Sequence, residues 1–115
     1  MGKAINPQQV EGQIEGGTLQ GMGYGTTEEI RHDAKGKMLN NAFSTYILPT
    51  FVDAPEIDPI IVEHAYDKGP YGAKGFGEVP LMGVAPAIVN AIHNATGKRI
   101  RSIPVKPEKI LGLDE

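Results

Sequence analysis

Candidate chemistry in this chain begins with a carboxylate among glycines. In Gly72-Ala73-Lys74-Gly75-Phe76-Gly77-Glu78-Val79-Pro80-Leu81, Glu78 stands between three glycines and an apolar helix start, with Lys74 as its one basic neighbour in the stretch. If this loop packs down, the carboxylate enters apolar surroundings, where desolvation raises its pKa toward that of a useful base. A group placed that way is a candidate for catalysis. The plain alternative is a surface loop carrying a solvated Glu78. A phosphate loop is the poorer match, because Gly72, Gly75 and Gly77 run in the reverse of the dinucleotide-binding order and Lys74 is not followed by Ser or Thr.

A second constellation lies near the start. Gln13, Gly16, Gly17 and Gln20 recur at helical spacing, so two amide side chains and two bare backbone positions share one helix face. Such a face admits another backbone or a ligand at close range. The histidines are weaker signals: His93 sits beside Asn90 and Asn94 on the polar side of its segment, and His32 and His64 show no ligand spacing. No metal site is read from the side chains. The absence of cysteine excludes disulfides, zinc knuckles and cysteine-ligated iron–sulfur clusters within the chain. Without a cysteine or a serine-centred elbow, covalent catalysis has no support.

The elements that must position these residues follow from local signals. Asn6 can cap a helix that Pro7 opens, and Val10, Ile14, Thr18 and Met22 give the segment through Gly23 a mostly apolar stripe. Gly12, Gly16, Gly17 and Gly21 cost that helix roughly 4 kcal/mol against alanine, so packing has to hold it. Thr26 to His32 and Lys37 to Leu39 flank a turn at Asp33-Ala34-Lys35-Gly36, which predicts a hairpin with Gly36 at positive φ. Phe43 to Val52 reads as extended, Ile60 to Tyr66 as a strand, and Leu81 to Thr96 as a helix that Gly97 caps. Arg99 to Leu111 predicts a short strand and then one helical turn. The order gives an α+β class: a single small domain over residues 1–115, with a Gly-rich N-terminal helix, antiparallel strands and a second helix after a Gly-rich loop.

Composition narrows the partners. The 115 residues include 11 basic and 14 acidic side chains without a block of like charge, which disfavours nucleic acid. No run approaches the roughly 18 apolar residues of a membrane span, so a soluble cytoplasmic protein is expected. Fifteen glycines and nine prolines are clustered, which makes them structural punctuation rather than a sign of disorder. A chain this short has little room for an enclosed site of its own, and a small domain or a fragment is the expectation.

Several motifs then occur in a fixed order. They are Asn6-Pro7; Val10-Glu11-Gly12-Gln13-Ile14-Glu15-Gly16-Gly17 with Gln20-Gly21-Met22-Gly23; Tyr46-Ile47-Leu48-Pro49-Thr50; Asp53-Ala54-Pro55; and the runs GPYGAKGFGEVPL, APAIVNAIHNATG and IPVKPEKIL. Together, from about Ile5 to Leu111, they resemble the C-terminal portion of the molybdopterin-binding subunit of the xanthine dehydrogenase and aldehyde oxidase family. The resemblance implies a molybdenum held by the dithiolene of its pterin, with no protein atom bound to the metal. The glutamate matching Glu78 serves there as the base that deprotonates the hydroxyl on the metal, while hydride passes from substrate to a sulfido ligand. The glutamine matching Gln13 lies against the cofactor, and Gly16, Gly17, Gly75, Phe76 and Gly77 are the further cofactor-binding positions that the resemblance implies.

The family's subunit is several times longer than this chain. The resemblance therefore implies a partial subunit, inactive alone, that shares its molybdenum–molybdopterin with a partner chain and works beside iron–sulfur and flavin (FAD) subunits on a heterocycle or an aldehyde. Isolated, such a piece is expected to self-associate. The alternative from another class is a non-catalytic remnant or assembly module that binds no cofactor alone.

Overall fold

A computed structural model describes residues 1–113; Asp114 and Glu115, the end of the span assigned above to one domain, lie outside the described residues. Helix α1 spans Pro7–Thr26. Asn6 is extended, its side chain accepts from the backbone N–H of Gln9 at 3.3 Å, and Pro7 occupies the first turn, where a missing N–H costs nothing. Helix α2, Val79–Met82, follows directly on Glu78, and α3 covers Val84–Thr96. The second helix thus starts two residues earlier than expected and is divided at Gly83. It ends at Gly97, whose φ of 72° lets its N–H return to the carbonyl of His93. Helix α4, Pro107–Leu111, is the single turn expected near the end.

The antiparallel strands of the expected α+β fold are not there. Among the described residues the chain is helical with no sheet, and its β pairing is one isolated bridge between His32 and Met38. The turn beneath that bridge forms as read: Gly36 has φ of 79°, and the Asp33 carboxylate accepts from the N–H groups of Lys35 and Lys37 at 2.8 and 2.9 Å. Its arms do not continue as a ladder. Phe43 to Val52 contains turns and leads into a 3₁₀ turn at Phe51–Asp53, closed by Thr50 and Asp53 acting on each other's backbone and side chain. Ile60 to Tyr66 stays outside any assigned strand; its His64 N–H donates to the Met1 carbonyl at the chain's start at 3.1 Å, and its last residue, Tyr66, bonds to the turn at Gly69 and Gly72. The strand expected after Arg99 is likewise absent; Val105 instead donates its N–H to the carbonyl of Gly25 at 2.7 Å. Branched and aromatic residues suit an extended segment, but a strand exists only where a second one completes its hydrogen bonds.

The helices are held by close approach. Gly17, Gly21 and Gly25 are buried at intervals of four along α1. A Cβ on Gly17 would stand 3.1 Å from Pro80 Cβ, and one on Gly25 would stand 3.2 Å from Ile88 Cδ1. Bare backbone on α1 thus seats α2 and α3, and this contact offsets the helix's poor propensity.

Little else is enclosed. Ile100 and Val105 are the buried hydrophobic side chains, whereas Phe43, Phe51 and Val52 are 92, 93 and 88% exposed. The radius of gyration is 17.7 Å, against about 13 Å for a compact chain of this length. Accessible surface amounts to 8615 Å², roughly 2,500 Å² above the ~6,100 Å² of a self-contained globule of this size. Among the described residues no helix is long and apolar enough to cross a membrane.

Candidate functional site

The loop that carries Glu78 is clamped at its base. Pro70–Gly72 forms a 3₁₀ turn in which Tyr71 and Gly72 both take positive φ, 54° and 78°. The outturned carbonyl of Gly72 accepts two hydrogen bonds, from Lys3 N–H at 2.8 Å and from Tyr66 N–H at 3.0 Å. Gly2 lies against the same turn, with no room for a side chain: a Cβ there would be 2.6 Å from the Gly72 oxygen. The chain's first residues, which carry no periodic signal, therefore anchor the loop.

From this base the loop runs across α1. The side-chain amide of Gln13 donates from Nε2 to the carbonyl of Gly77 at 2.9 Å. Gly77 has φ of 31°, a left-handed value that favours glycine. The Val79 N–H then returns to Phe76 O at 3.2 Å, and Leu81 N–H to Glu78 O at 3.0 Å, which turns the chain into α2. Glu78 occupies the capping position of α2, but its side chain makes no capping bond and is exposed to solvent.

The two sequence constellations meet here. Asn6, Gln9 and Gln13 of the α1 entry face Ala73, Phe76 and Gly77 across an open groove of about 330 Å³. Gly75 lies in the same loop with nothing within 4 Å of a Cβ position. The other α1 glycines are elsewhere. Gly16 faces open space and borders a separate depression of about 270 Å³ with Ala54, Pro55 and Ile57. Gly17 is covered by Pro80 and Leu81, so its bare backbone is occupied by α2. Gln9 is a groove residue that the sequence reading passed over, although its spacing of four from Gln13 marks both as one face.

The charged neighbours are dispersed. Lys74 holds its ammonium 5.7 Å from the centre of the Tyr66 ring rather than beside Glu78. Among the described residues the ion pair within 4 Å is Glu29 with Lys106, at 2.8 Å. No three His, Asp or Glu side chains among them gather to hold a metal ion. His93, expected on a polar face, is half-buried, and its Nδ1 is buried without a hydrogen-bond partner in the described structure.

Chemically, the groove offers amide edges, loop backbone, one aromatic side chain and two lysines, Lys3 and Lys74, beside apolar residues such as Ile5 and Val10. This set suits the polar edge and flat face of a heterocycle, an anionic one included, and is compatible with one wall of a pterin site. Its open side leaves the opposite wall to another surface.

Comparison with known proteins gives this groove a context. Residues 1–55 match the model of the molybdopterin cofactor-binding domain. The chain is 40% identical over 111 residues to the "probable hypoxanthine oxidase XdhD" of Escherichia coli K12, a match covering 96% of this chain and 12% of that protein. It is 37% identical over 110 residues to the xanthine dehydrogenase molybdenum-binding subunit of Escherichia coli O157:H7, covering 95% of this chain and 15% of the subunit. The crystal structure of quinoline 2-oxidoreductase from Pseudomonas putida 86 superposes with a TM-score of 0.86 at 33% identity, over 96% of this chain and 15% of that one. The chain thus spans only about an eighth to a seventh of the length of the relatives it matches. Nearly end to end, it is a counterpart of one segment of the molybdenum-binding subunits of the xanthine dehydrogenase and aldehyde oxidase family.

Proposed function

We propose that residues 1–115 form one wall of a molybdenum–molybdopterin site and carry its catalytic base, within an oxidoreductase completed by other chains. The observation that carries this reading is the 2.9 Å hydrogen bond from Gln13 to Gly77, which brings the amide face of α1 and the Glu78 loop to one groove. When bound, the cofactor would supply the redox centre for oxidative hydroxylation of a heterocycle or an aldehyde. The residues of this chain do the rest of the work assigned here. Gln13, Phe76 and Gly77 bind the pterin, Gly75 leaves room for its approach, and Gly17 lets α2 hold the loop down, whereas Gly16, which borders a separate depression, takes no part in this groove. Glu78 accepts a proton at its carboxylate.

The excess surface supports the need for partners. Roughly 2,500 Å² beyond a self-contained globule is the area of an obligate interface, and the remainder of the molybdenum subunit is its occupant in this reading. Iron–sulfur and FAD subunits would complete electron transfer, and the assembly would work in the cytoplasm. One observation favours a second reading: Glu78 is exposed and makes no capping bond, as it would in an assembly module that binds no cofactor.

Recovery of the tagged chain from cells that make molybdopterin separates the two. A larger chain arriving in equal amount, with molybdenum and pterin fluorescence, supports the partial subunit. Molybdenum-free chain recovered without such a partner supports the module and overturns the first reading.

A further inference from the structure

We infer that Gln13 is a positioning residue: its amide sets where the Glu78 loop lies over α1, whether or not it also touches a cofactor. Only the consequence for turnover rests on Glu78 being the base. Between Ala73 and Val79 the chain contains two glycines and no residue of a regular helix interior. Among the described residues, the hydrogen bond from Gln13 to Gly77 is the one that ties this span to another element; the remainder are local, such as Ala73 N–H to Pro70 O and Val79 N–H to Phe76 O. Upstream the loop is clamped at Gly72 by Lys3, and downstream Pro80 sits on Gly17. Gln13 holds the middle.

The point of attachment matters. The carbonyl of Gly77 and the nitrogen of Glu78 belong to one planar peptide group, so fixing the oxygen fixes the direction in which Glu78 leaves the loop. A carbonyl oxygen only accepts, so the NH₂ of Gln13 must face Gly77. Its own carbonyl then points elsewhere and remains free as an acceptor. Positioning and ligand contact therefore use different atoms of one side chain, and substitutions can separate them.

Gln13→Met keeps the length and removes the donor, whereas Gln13→Lys keeps a donor and removes the acceptor. A glutamate-specific protease reports the loop by cleavage at Glu78–Val79 in the full chain, with the exposed Glu56–Ile57 bond as an internal control. Loss of one exposed hydrogen bond should speed cleavage at Glu78 by roughly two- to tenfold in the Met variant, with the control unchanged and the Lys variant near wild type. Equal cleavage in all three chains overturns the inference. So does parallel acceleration at both sites, which would mean general destabilisation, or a Lys variant as fast as Met. None of these outcomes depends on cofactor loading, so failure of the proposed function is a separate result. In a loaded complex the consequence is a lower kcat per bound molybdenum for Gln13→Met.

Discussion

Gly21 of α1 and Val84 of α3 meet with no space for a methyl group: a Cβ on Gly21 would stand 2.7 Å from Val84 Cβ and 2.7 Å from the Leu81 carbonyl oxygen. Alanine is the better helix former by about 1 kcal/mol, yet here it would force α1 from its partners, at a typical overpacking cost of about 1–3 kcal/mol. Gly21→Ala should therefore lower the denaturant midpoint. Gly12→Ala, where nothing lies within 4 Å of the added carbon, should raise it. Matching shifts of one sign in both variants would contradict this packing.

A second prediction concerns the carboxylate in a loaded complex. Glu78→Gln preserves shape but removes the carboxylate that serves as the proton acceptor in this reading. Folding and molybdenum content should be almost unchanged, while kcat falls about 10²- to 10⁴-fold, or roughly 3–5 kcal/mol of transition-state stabilisation. A variant that keeps more than about a tenth of wild-type kcat, with equal molybdenum, would remove Glu78 from the role of base.

Acid sensitivity should trace in part to Glu29. Its hydrogen bond and ion pair with Lys106 hold the carboxyl below its ordinary value, with weaker help from Arg31 and Lys109. A depressed folded-state pKa contributes stability above the ordinary carboxylate range and loses it as pH falls through the folded value. Both side chains are about a third exposed, so the pair is worth at most about 1 kcal/mol and weakens in salt. Lys106→Gln should destabilise the chain at neutral pH and flatten this part of its acid limb. An unchanged pH profile of the unfolding midpoint would show that the pair contributes nothing.

The isolated chain should self-associate through the arm that bears Phe43, Phe51 and Val52, all nearly fully exposed. Light scattering should show mass rising with concentration, and the double change Phe43→Ser with Phe51→Ser should suppress it without loss of helical signal. A wild-type chain that stays monomeric across a wide concentration range would count against the arm as a docking surface.

Much of what was legible in the sequence concerned helix ends and turns. Asn6 followed by Pro7 marked the start of α1, Gly97 the end of α3, and Gly36 the turn after Asp33, because a cap or a positive φ depends on a few adjacent residues. The family resemblance was also legible, since its motifs follow one another along the chain. Strands were misread for the complementary reason. Ile60 to Tyr66 has the residues of a strand, but whether a ladder forms depends on a partner distant in sequence, and here that partner is a few residues of the chain's start.

The face made by Gln13, Gly16, Gly17 and Gln20 shows the same division within the candidate site. Helical spacing placed these residues on one side of α1, which the sequence alone determines through the 3.6-residue period. Only the tertiary structure decided that Gly17 would be spent on Pro80, that Gly16 would stay open beside Pro55, and that Gln13 would reach Gly77, a residue 64 positions away. Periodicity is local and sets which residues share a face. The use of each one depends on which distant backbone comes within a few ångströms, and that is settled by the packing of α2 against α1.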